Sequence, residues 1–301
     1  MQDEVKKEEN KLKGFFLDVL RGCAIGIAFI IPGFSGGSVA AILGIYERLV
    51  GAIADLFKSF KKSILTLLPI AIGMAVGIIS LLFPLRYALS AFPFPTVCLF
   101  VGLAIGGLPT VTDNLRGKIR ITNVIAFLLP LTAALLLSFL PIGEDVDLFS
   151  LTFGGYALLT LIGFIGSTAL VIPGISGSML LLIFGYYNPI VSMITDHLFK
   201  LRNIGKSVLV LGLIALGIAV GFFAVSVMMK WLLKNCPRGT YFAILGFIIG
   251  SIPTVYISTA KDSGYTLATL PSSPLHWIMC AVMLAVGFTL SYLLIRFSRK
   301  K

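Results

Sequence analysis

Two segments of this chain carry the same interruption of an apolar run: Ile31-Pro32-Gly33-Phe34-Ser35-Gly36 and Ile172-Pro173-Gly174-Ile175-Ser176-Gly177. The prolines lie 173 − 32 = 141 positions apart. At that offset Gly44, Tyr46 and Val50 meet Gly185, Tyr187 and Val191. Further on, Gly73 and Gly77 meet Gly217 and Gly221, and Thr96, Gly102, Gly106, Pro109, Thr110 and Val111 meet Thr240, Gly246, Gly250, Pro253, Thr254 and Val255. The offset there is 253 − 109 = 144, so a small insertion separates the two blocks. Apolar composition alone does not return glycine and proline twice in one order. The pattern predicts two repeats, 15–141 and 151–297, within a single integral membrane domain spanning 1–301.

The solvent follows from composition. Hydrophobic residues make up 57% of the 301, charged residues 12%, and mean hydropathy is +1.01. Soluble domains carry about a quarter charged residues. No single soluble core hides this much apolar surface, so lipid must solvate much of it. Spanning helices need roughly 20 apolar residues. The stretches that qualify are 64–83, 97–108 (extended at either end), 123–140, 207–229, 241–256 and 276–295. The net charge of +11 would suit a nucleic-acid binder, but the basic residues fall in short clusters between apolar stretches, as in membrane-protein loops. Nucleic acid is therefore not an expected partner. Cys23, Cys98, Cys236 and Cys280 are isolated, lack metal-ligand spacing and read as small buried hydrophobes. His197 and His276 are isolated loop or interface residues, so no metal or other cofactor is expected. The mixed-charge run 1–13 reads as a solvated tail or interfacial helix rather than a cleavable signal.

Loop charge predicts orientation. Lys6, Lys7, Lys11 and Lys13 precede the first apolar segment, and Arg296, Arg299, Lys300 and Lys301 follow the last, placing both termini in the cytoplasm. Arg116, Lys118 and Arg120 read as inside, as do Lys230, Lys234 and Arg238. The loop with Glu144, Asp145 and Asp147 has no basic residue and reads as outside. One scheme fits: an all-α polytopic protein of two inverted repeats, each a re-entrant helical hairpin carrying the motif and then about three spanning helices. Such inverted repeats are a common transporter design, with the substrate site near the midplane at broken helices. Lys200, Arg202 and Lys206 run against this scheme, since it places them outside. Either the second motif segment crosses fully, or these charges serve lipid headgroups.

At the motifs, Pro32 and Pro173 remove a donor and disfavour helix before them, while Gly33, Gly36, Gly37, Gly174 and Gly177 admit unusual backbone angles. The helices are expected to stop near Ile31 and Ile172 and restart near Ser35 and Ser176. Ser35 or Ser38, and Ser176 or Ser178, are available as N-caps. The free N–H groups of a restarting helix make an anion site. The competing explanation is a kink for close helix packing by Gly and Ser. Arg21, Glu47 and Arg48 lie a few helical turns from the first motif. Either arginine can pair with phosphate through its planar fork, and Glu47 is a candidate proton-coupling carboxylate, while a snorkelling interfacial role remains open for each. The second repeat has Asn188 and Pro189 at the matching positions, so the site would be asymmetric. Arg86 and Lys230 nearly align and mark segment ends; the aligned Tyr46 and Tyr187 read as packing residues.

The run from Arg21-Gly22 through Ile31-Pro32-Gly33-Phe34-Ser35-Gly36-Gly37-Ser38 to Leu43-Gly44-Ile45-Tyr46-Glu47-Arg48-Leu49 resembles the signature of the bacterial polyprenyl-phosphate transporter family, which includes the PopT-type undecaprenyl-phosphate translocases and was formerly a domain of unknown function. The second copy, Ile172-Pro173-Gly174-Ile175-Ser176-Gly177-Ser178, and Gly106 to Thr110 also fit. Phe34 and Ser38 stand where Val and Thr are more usual in that family. The resemblance implies a flippase of the bacterial cytoplasmic membrane that returns undecaprenyl phosphate between leaflets for carrier recycling in cell-wall synthesis, with that lipid and the phospholipid bilayer as its partners; coupling to protons or another ion is left open by the residues. The residues alone equally fit a secondary transporter of a small soluble anion. An enzyme such as a prenyl-pyrophosphate phosphatase is disfavoured, because acids and histidines are sparse near the motifs.

Overall fold

The computed structural model describes residues 2–30, 35–137, 139–141, 143–173, 177–194, 203–262 and 273–299. The side chains of 2–11, 29, 30, 82, 86, 178, 179, 182, 258, 261, 262, 294 and 297–299 lie outside that description. Most of the chain is helical, and the described residues contain no strand. The first half holds α1 (Gln2–Ile30), α2 (Gly36–Ile42), α3 (Tyr46–Ala54), α4 (Phe60–Ala91), α5 (Pro93–Thr112) and α6 (Ile121–Leu137), with a 3-10 turn at Asp113–Leu115 after α5. The second holds α7 (Phe153–Val171), α8 (Gly177–Ile183), α9 (Tyr187–Ser192), α10 (Ile204–Asn235), α11 (Pro237–Asp262) and α12 (Pro274–Arg299). Six segments are long and apolar enough to cross a membrane: Phe60–Leu81, Pro93–Leu115, Phe153–Val171, Ile204–Asn235, Pro237–Ile257 and Pro274–Leu293. Ile121–Leu137 is a shorter apolar helix. The protein is an all-α, multi-pass membrane protein.

Local sequence explains the element ends. Pro93 and Pro237 each occupy the first turn of a helix, where a missing N–H costs nothing. Thr96 and Thr240 then return their hydroxyls to the carbonyls of Phe92 (2.7 Å) and Cys236 (2.8 Å). Gly44 (φ 69°) and Gly185 (φ 75°) both turn the chain between two short helices in the left-handed region, where a side chain would be strained.

Packing is set by the glycines that the two offsets pair. A Cβ at Gly73 or Gly77 would collide with the carbonyl oxygens of Val19 and Cys23 on α1; one at Gly217 or Gly221 would strike α7 at Thr160 and at Phe164 and Ser167. These small residues let α4 lie against α1, and α10 against α7, at backbone distance. Likewise Gly102 and Gly106 admit α12 at Leu284 and Phe288, and Gly246 and Gly250 admit α6 at Phe127 and Leu131. The last helix of each half thus packs on the fifth helix of the other. Within this frame a buried cluster including Ile25, Ala40, Tyr46, Val97, Val171, Ile244 and Val255 ties both halves into one core.

Polar contacts sort into two ends. At one, Lys230 bonds Asp55, and Arg238 donates to the carbonyls of Leu115 (3.3 Å) and Lys118 (3.1 Å). At the other, Asn188 donates to Asp145 (3.1 Å), Val146 N–H to Gly185 O (2.9 Å), and Lys206 to Phe149 O. Lys206, which disagreed with the loop-charge scheme, therefore joins the acidic 144–150 loop; Lys200 and Arg202 lie outside the described residues. Cys98 and Cys280 are buried as expected and Cys23 is half-buried, but Cys236 is exposed, because it caps α10 at the short junction with α11. His276 stacks edge-on against Phe94 and Trp277; His197 lies outside the described residues.

Candidate functional site

The helices break where the motifs stand. α1 ends at Ile30 and α2 begins at Gly36; α7 ends at Val171 and α8 begins at Gly177. Pro32, Gly33, Gly174 and Ser176 lie outside the described residues, as does the side chain of Ser178. What is described at the two breaks is in direct contact. Ser35 Oγ lies 3.4 Å from Ala169 O and 3.5 Å from Ile172 O, to which it donates. A Cβ at Gly37 would sit 3.0 Å from Val171 O and 3.2 Å from Pro173 N. Ser35 and Ser38 are fully buried, and Ser38 Oγ has no hydrogen-bond partner among the described residues.

Ser35 occupies the N-cap position of α2 in an extended conformation (φ −114°, ψ 129°), yet makes no side-chain cap bond. The expected capping role is thus corrected. The open carbonyls of the C-terminal turn of α7 are stronger acceptors for its hydroxyl, because a helix leaves its last carbonyls unpaired. The donors of the first turn of α2, at Gly36, Gly37 and Ser38, have no partner from helix geometry itself. Gly177 opens α8 on its own half, 3.2 Å from Gly166 O to its virtual Cβ.

One turn of α3 links this contact to charge. Tyr46 is buried and donates to Val171 O at 2.8 Å. Arg48 Nη2 reaches Asp18 Oδ1 at 2.5 Å, and Arg21 Nη1 reaches the same oxygen at 3.1 Å. Glu47 Oε1 accepts from Tyr241 OH at 2.7 Å. Three consecutive residues therefore engage α7, α11 and α1. Asp18 is nearly buried, while the Arg48 side chain is 46% exposed. A carboxylate accepting two guanidinium bonds is well compensated, and Arg48 keeps further N–H donors for a second anion. At the far end of α3, a hydrogen bond from the Lys230 ammonium holds the Asp55 carboxyl below its ordinary value.

Arg21 and Arg48 are thus brought together by Asp18, and Ser35 and Gly37 meet the second break. Sequence reasoning missed Asp18, Tyr241 and the carbonyls of Ala169 and Val171. Asp18 had one usable signal: it is an acid three positions before Arg21 within a helical segment, the spacing of an ion pair. The aligned tyrosines differ, Tyr46 being buried and Tyr187 exposed. Lys230 pairs with Asp55 inside α10 rather than at its end, and Arg86 lies within α4. The described residues contain no group of three metal-ligating side chains.

Broken helices in contact, with two arginines gathered on Asp18 a few helical turns away, define a class: multi-pass membrane proteins with a polar contact between two halves. Within it, the chain belongs to the VCA0040-like family, described as undecaprenyl phosphate translocase-like, whose model matches residues 25–269. It is 28% identical over 283 residues to a polyprenyl-phosphate transporter of Staphylococcus aureus (strain NCTC 8325 / PS 47), covering 92% of this chain and 94% of that protein. It is 24% identical over 322 residues to a polyprenyl-phosphate transporter of Vibrio cholerae serotype O1 (strain ATCC 39315 / El Tor Inaba N16961), covering 96% and 99%. No solved structure matches the chain significantly.

Proposed function

We propose that this protein is a transporter, not an enzyme, that moves a polyprenyl phosphate, undecaprenyl phosphate in the first instance, between the leaflets of the bacterial cytoplasmic membrane, returning the carrier lipid for cell-wall synthesis. The near full-length likeness to two polyprenyl-phosphate transporters supports the substrate class. The observation that carries the mechanism is the contact of the two breaks: Ser35 and Gly37 against Ala169–Pro173. The phosphate is held there by first-turn N–H groups, Ser35 and Ser38 from the first motif (Pro32, Gly33, Gly36, Gly37) and by the second motif (Pro173, Gly174, Ser176, Gly177, Ser178). α2 and α8 are only two turns long, so free N–H donors rather than a large macrodipole supply the attraction.

Arg48 leaves Asp18 to take the phosphate, and Arg21 stays on the carboxylate. Two arginines on one acid favour an added anion, which balances the surplus positive charge. Glu47, which accepts from Tyr241, is the carboxylate proposed to couple the cycle to protons or another ion. The two halves act as inverted repeats, 15–141 and 151–297, rocking about the central contact with both termini in the cytoplasm. The recurring glycine contacts, the exchanged sixth helices and the separation of a basic from an acidic end support that arrangement. Gently purified protein is expected to carry a polyprenyl phosphate in native mass spectrometry, and Arg48→Ala or Ser35→Ala to lose it. A wild-type protein that carries only phospholipid would overturn the assignment.

A further inference from the structure

Two apolar cavities flank the breaks, one at each end of the bundle. The larger, about 370 Å³, lies between α1, α2, α4, α5 and α12 and is bordered by Ala28, Ile42, Ala88, Phe100, Leu103 and Ser291. The smaller, about 280 Å³, lies between α10, α11 and the second break, bordered by Ile172, Pro173, Leu232, Ala243, Ile244 and Phe247. Adding 144 to seven lining positions of the first, from Pro84 to Leu103, gives seven lining positions of the second. The first sits at the α4–α5 junction. The second sits at the α10–α11 junction, beside the Arg238 end that receives the opposite terminus of α5. A 20-residue helix spans about 30 Å, the thickness of the hydrocarbon layer, so the cavities belong to opposite halves of the membrane.

Three observations say what enters. Each cavity touches a motif: Val39, Ile42 and Leu43 follow the first break, and Ile172 and Pro173 begin the second. The first is open sideways, because α4 and α12 make no extensive contact among the described residues and Leu81 and Met283, both exposed, stand at its rim. Its polar feature is the buried hydroxyl of Ser291, which has no partner among the described residues. A volume near the lower bound of ligand pockets, about 300–1,000 Å³, holds a segment of a long chain rather than all of it.

We propose that these cavities bind the phosphate-proximal segment of the isoprenoid chain, one cavity for each half of the membrane, on either side of a shared phosphate site. This rests on the proposed transport of polyprenyl phosphate. It explains how a chain far longer than the protein is thick crosses: only its first units are gripped, and the remainder stays in lipid beyond the α4–α12 gap. Seating moves from one cavity to the other while the phosphate remains near the central contact.

The test uses the full-length protein in nanodiscs with a prenyl phosphate bearing a diazirine near the phosphate. Crosslinks mapped by mass spectrometry are expected on the Phe100–Leu103 and Ile244–Phe247 segments, displaced by undecaprenyl phosphate but not by phosphatidylglycerol. Ala88→Trp, which fills the larger cavity, is expected to lower undecaprenyl phosphate affinity tenfold or more while leaving inorganic phosphate, which has no chain, within twofold. That chain-free control separates cavity filling from misfolding. Displaceable labelling confined to the outer faces of the helices, equal displacement by phosphatidylglycerol, or equal loss of undecaprenyl phosphate and inorganic phosphate with the fold intact would overturn the cavity assignment. A wild-type protein that binds no prenyl phosphate of any length would overturn the underlying transport reading instead.

Discussion

The two motif hairpins share a backbone plan but not a side-chain plan. In the first, α3 opens with Tyr46-Glu47-Arg48, which engages Val171, Tyr241 and Asp18. In the second, α9 opens with Tyr187-Asn188-Pro189; Tyr187 is exposed and Asn188 donates to Asp145 in the acidic loop. The short helices, the left-handed glycines 44 and 185 and the close-packed long helices recur, yet among the described residues the first hairpin alone brings an arginine and a glutamate to the partners of the other elements. The lesson is a division of labour. Backbone geometry must match in both halves for them to pack around one centre, whereas a single phosphate needs only one set of cations.

The largest expected break in this comparison is functional. Arg48→Ala should lower prenyl-phosphate binding roughly 10- to 100-fold, the equivalent of losing one charged hydrogen bond of about 1.5–3 kcal/mol. Pro189→Ala, at the matching position, should stay within about twofold by the same binding measurement.

Next comes stability. Tyr46→Phe strands the Val171 carbonyl in the core and should cost about 1–3 kcal/mol in a denaturation series in detergent. Tyr187→Phe, on an exposed side chain, should change stability by less than about 0.5 kcal/mol. A similar contrast applies to the breaks themselves. Gly37→Val pushes against Val171 and Pro173 of the other half and should cost about 1–3 kcal/mol by overpacking. Gly51→Val, with open space around its virtual Cβ, is the control and should leave packing undisturbed.

The smallest effect concerns the end of the first hairpin. Asp55 has a lowered folded-state pKa, so its pair with Lys230 stabilises above the unfolded value of 3.8 and is lost as pH falls through the folded one. The side chains are 35% and 43% exposed, so Asp55→Asn should cost less than about 1 kcal/mol at neutral pH. The difference from wild type should begin to shrink only below pH 3.8 and vanish once the pH is under the lowered folded-state value.

Much of this comparison was legible in the sequence. The offsets 141 and 144 located the breaks to within a residue, because Pro and Gly act locally on the backbone. They also paired the glycines that set helix approach. Partners were less legible. Asp18 and Arg48 are 30 positions apart, Tyr46 and Val171 are 125, and Glu47 and Tyr241 are 194. No spacing rule reaches across such separations; they follow from which helices the fold sets side by side. Ser35 shows the same limit: its position before α2 has the form of a cap, but carbonyls from the other half compete for its hydroxyl.

The central claim is that the two breaks together carry a lipid phosphate across the bilayer. Its most direct measurement is a proteoliposome assay in which external phosphatase acts on undecaprenyl phosphate present in both leaflets. With wild-type protein nearly all of the lipid should become cleavable, whereas Arg48→Ala and empty vesicles should stop at roughly the outer half. Wild-type vesicles that also stop at half, while accumulating a water-soluble phosphate compound, would contradict the account and establish a soluble-anion transporter in its place.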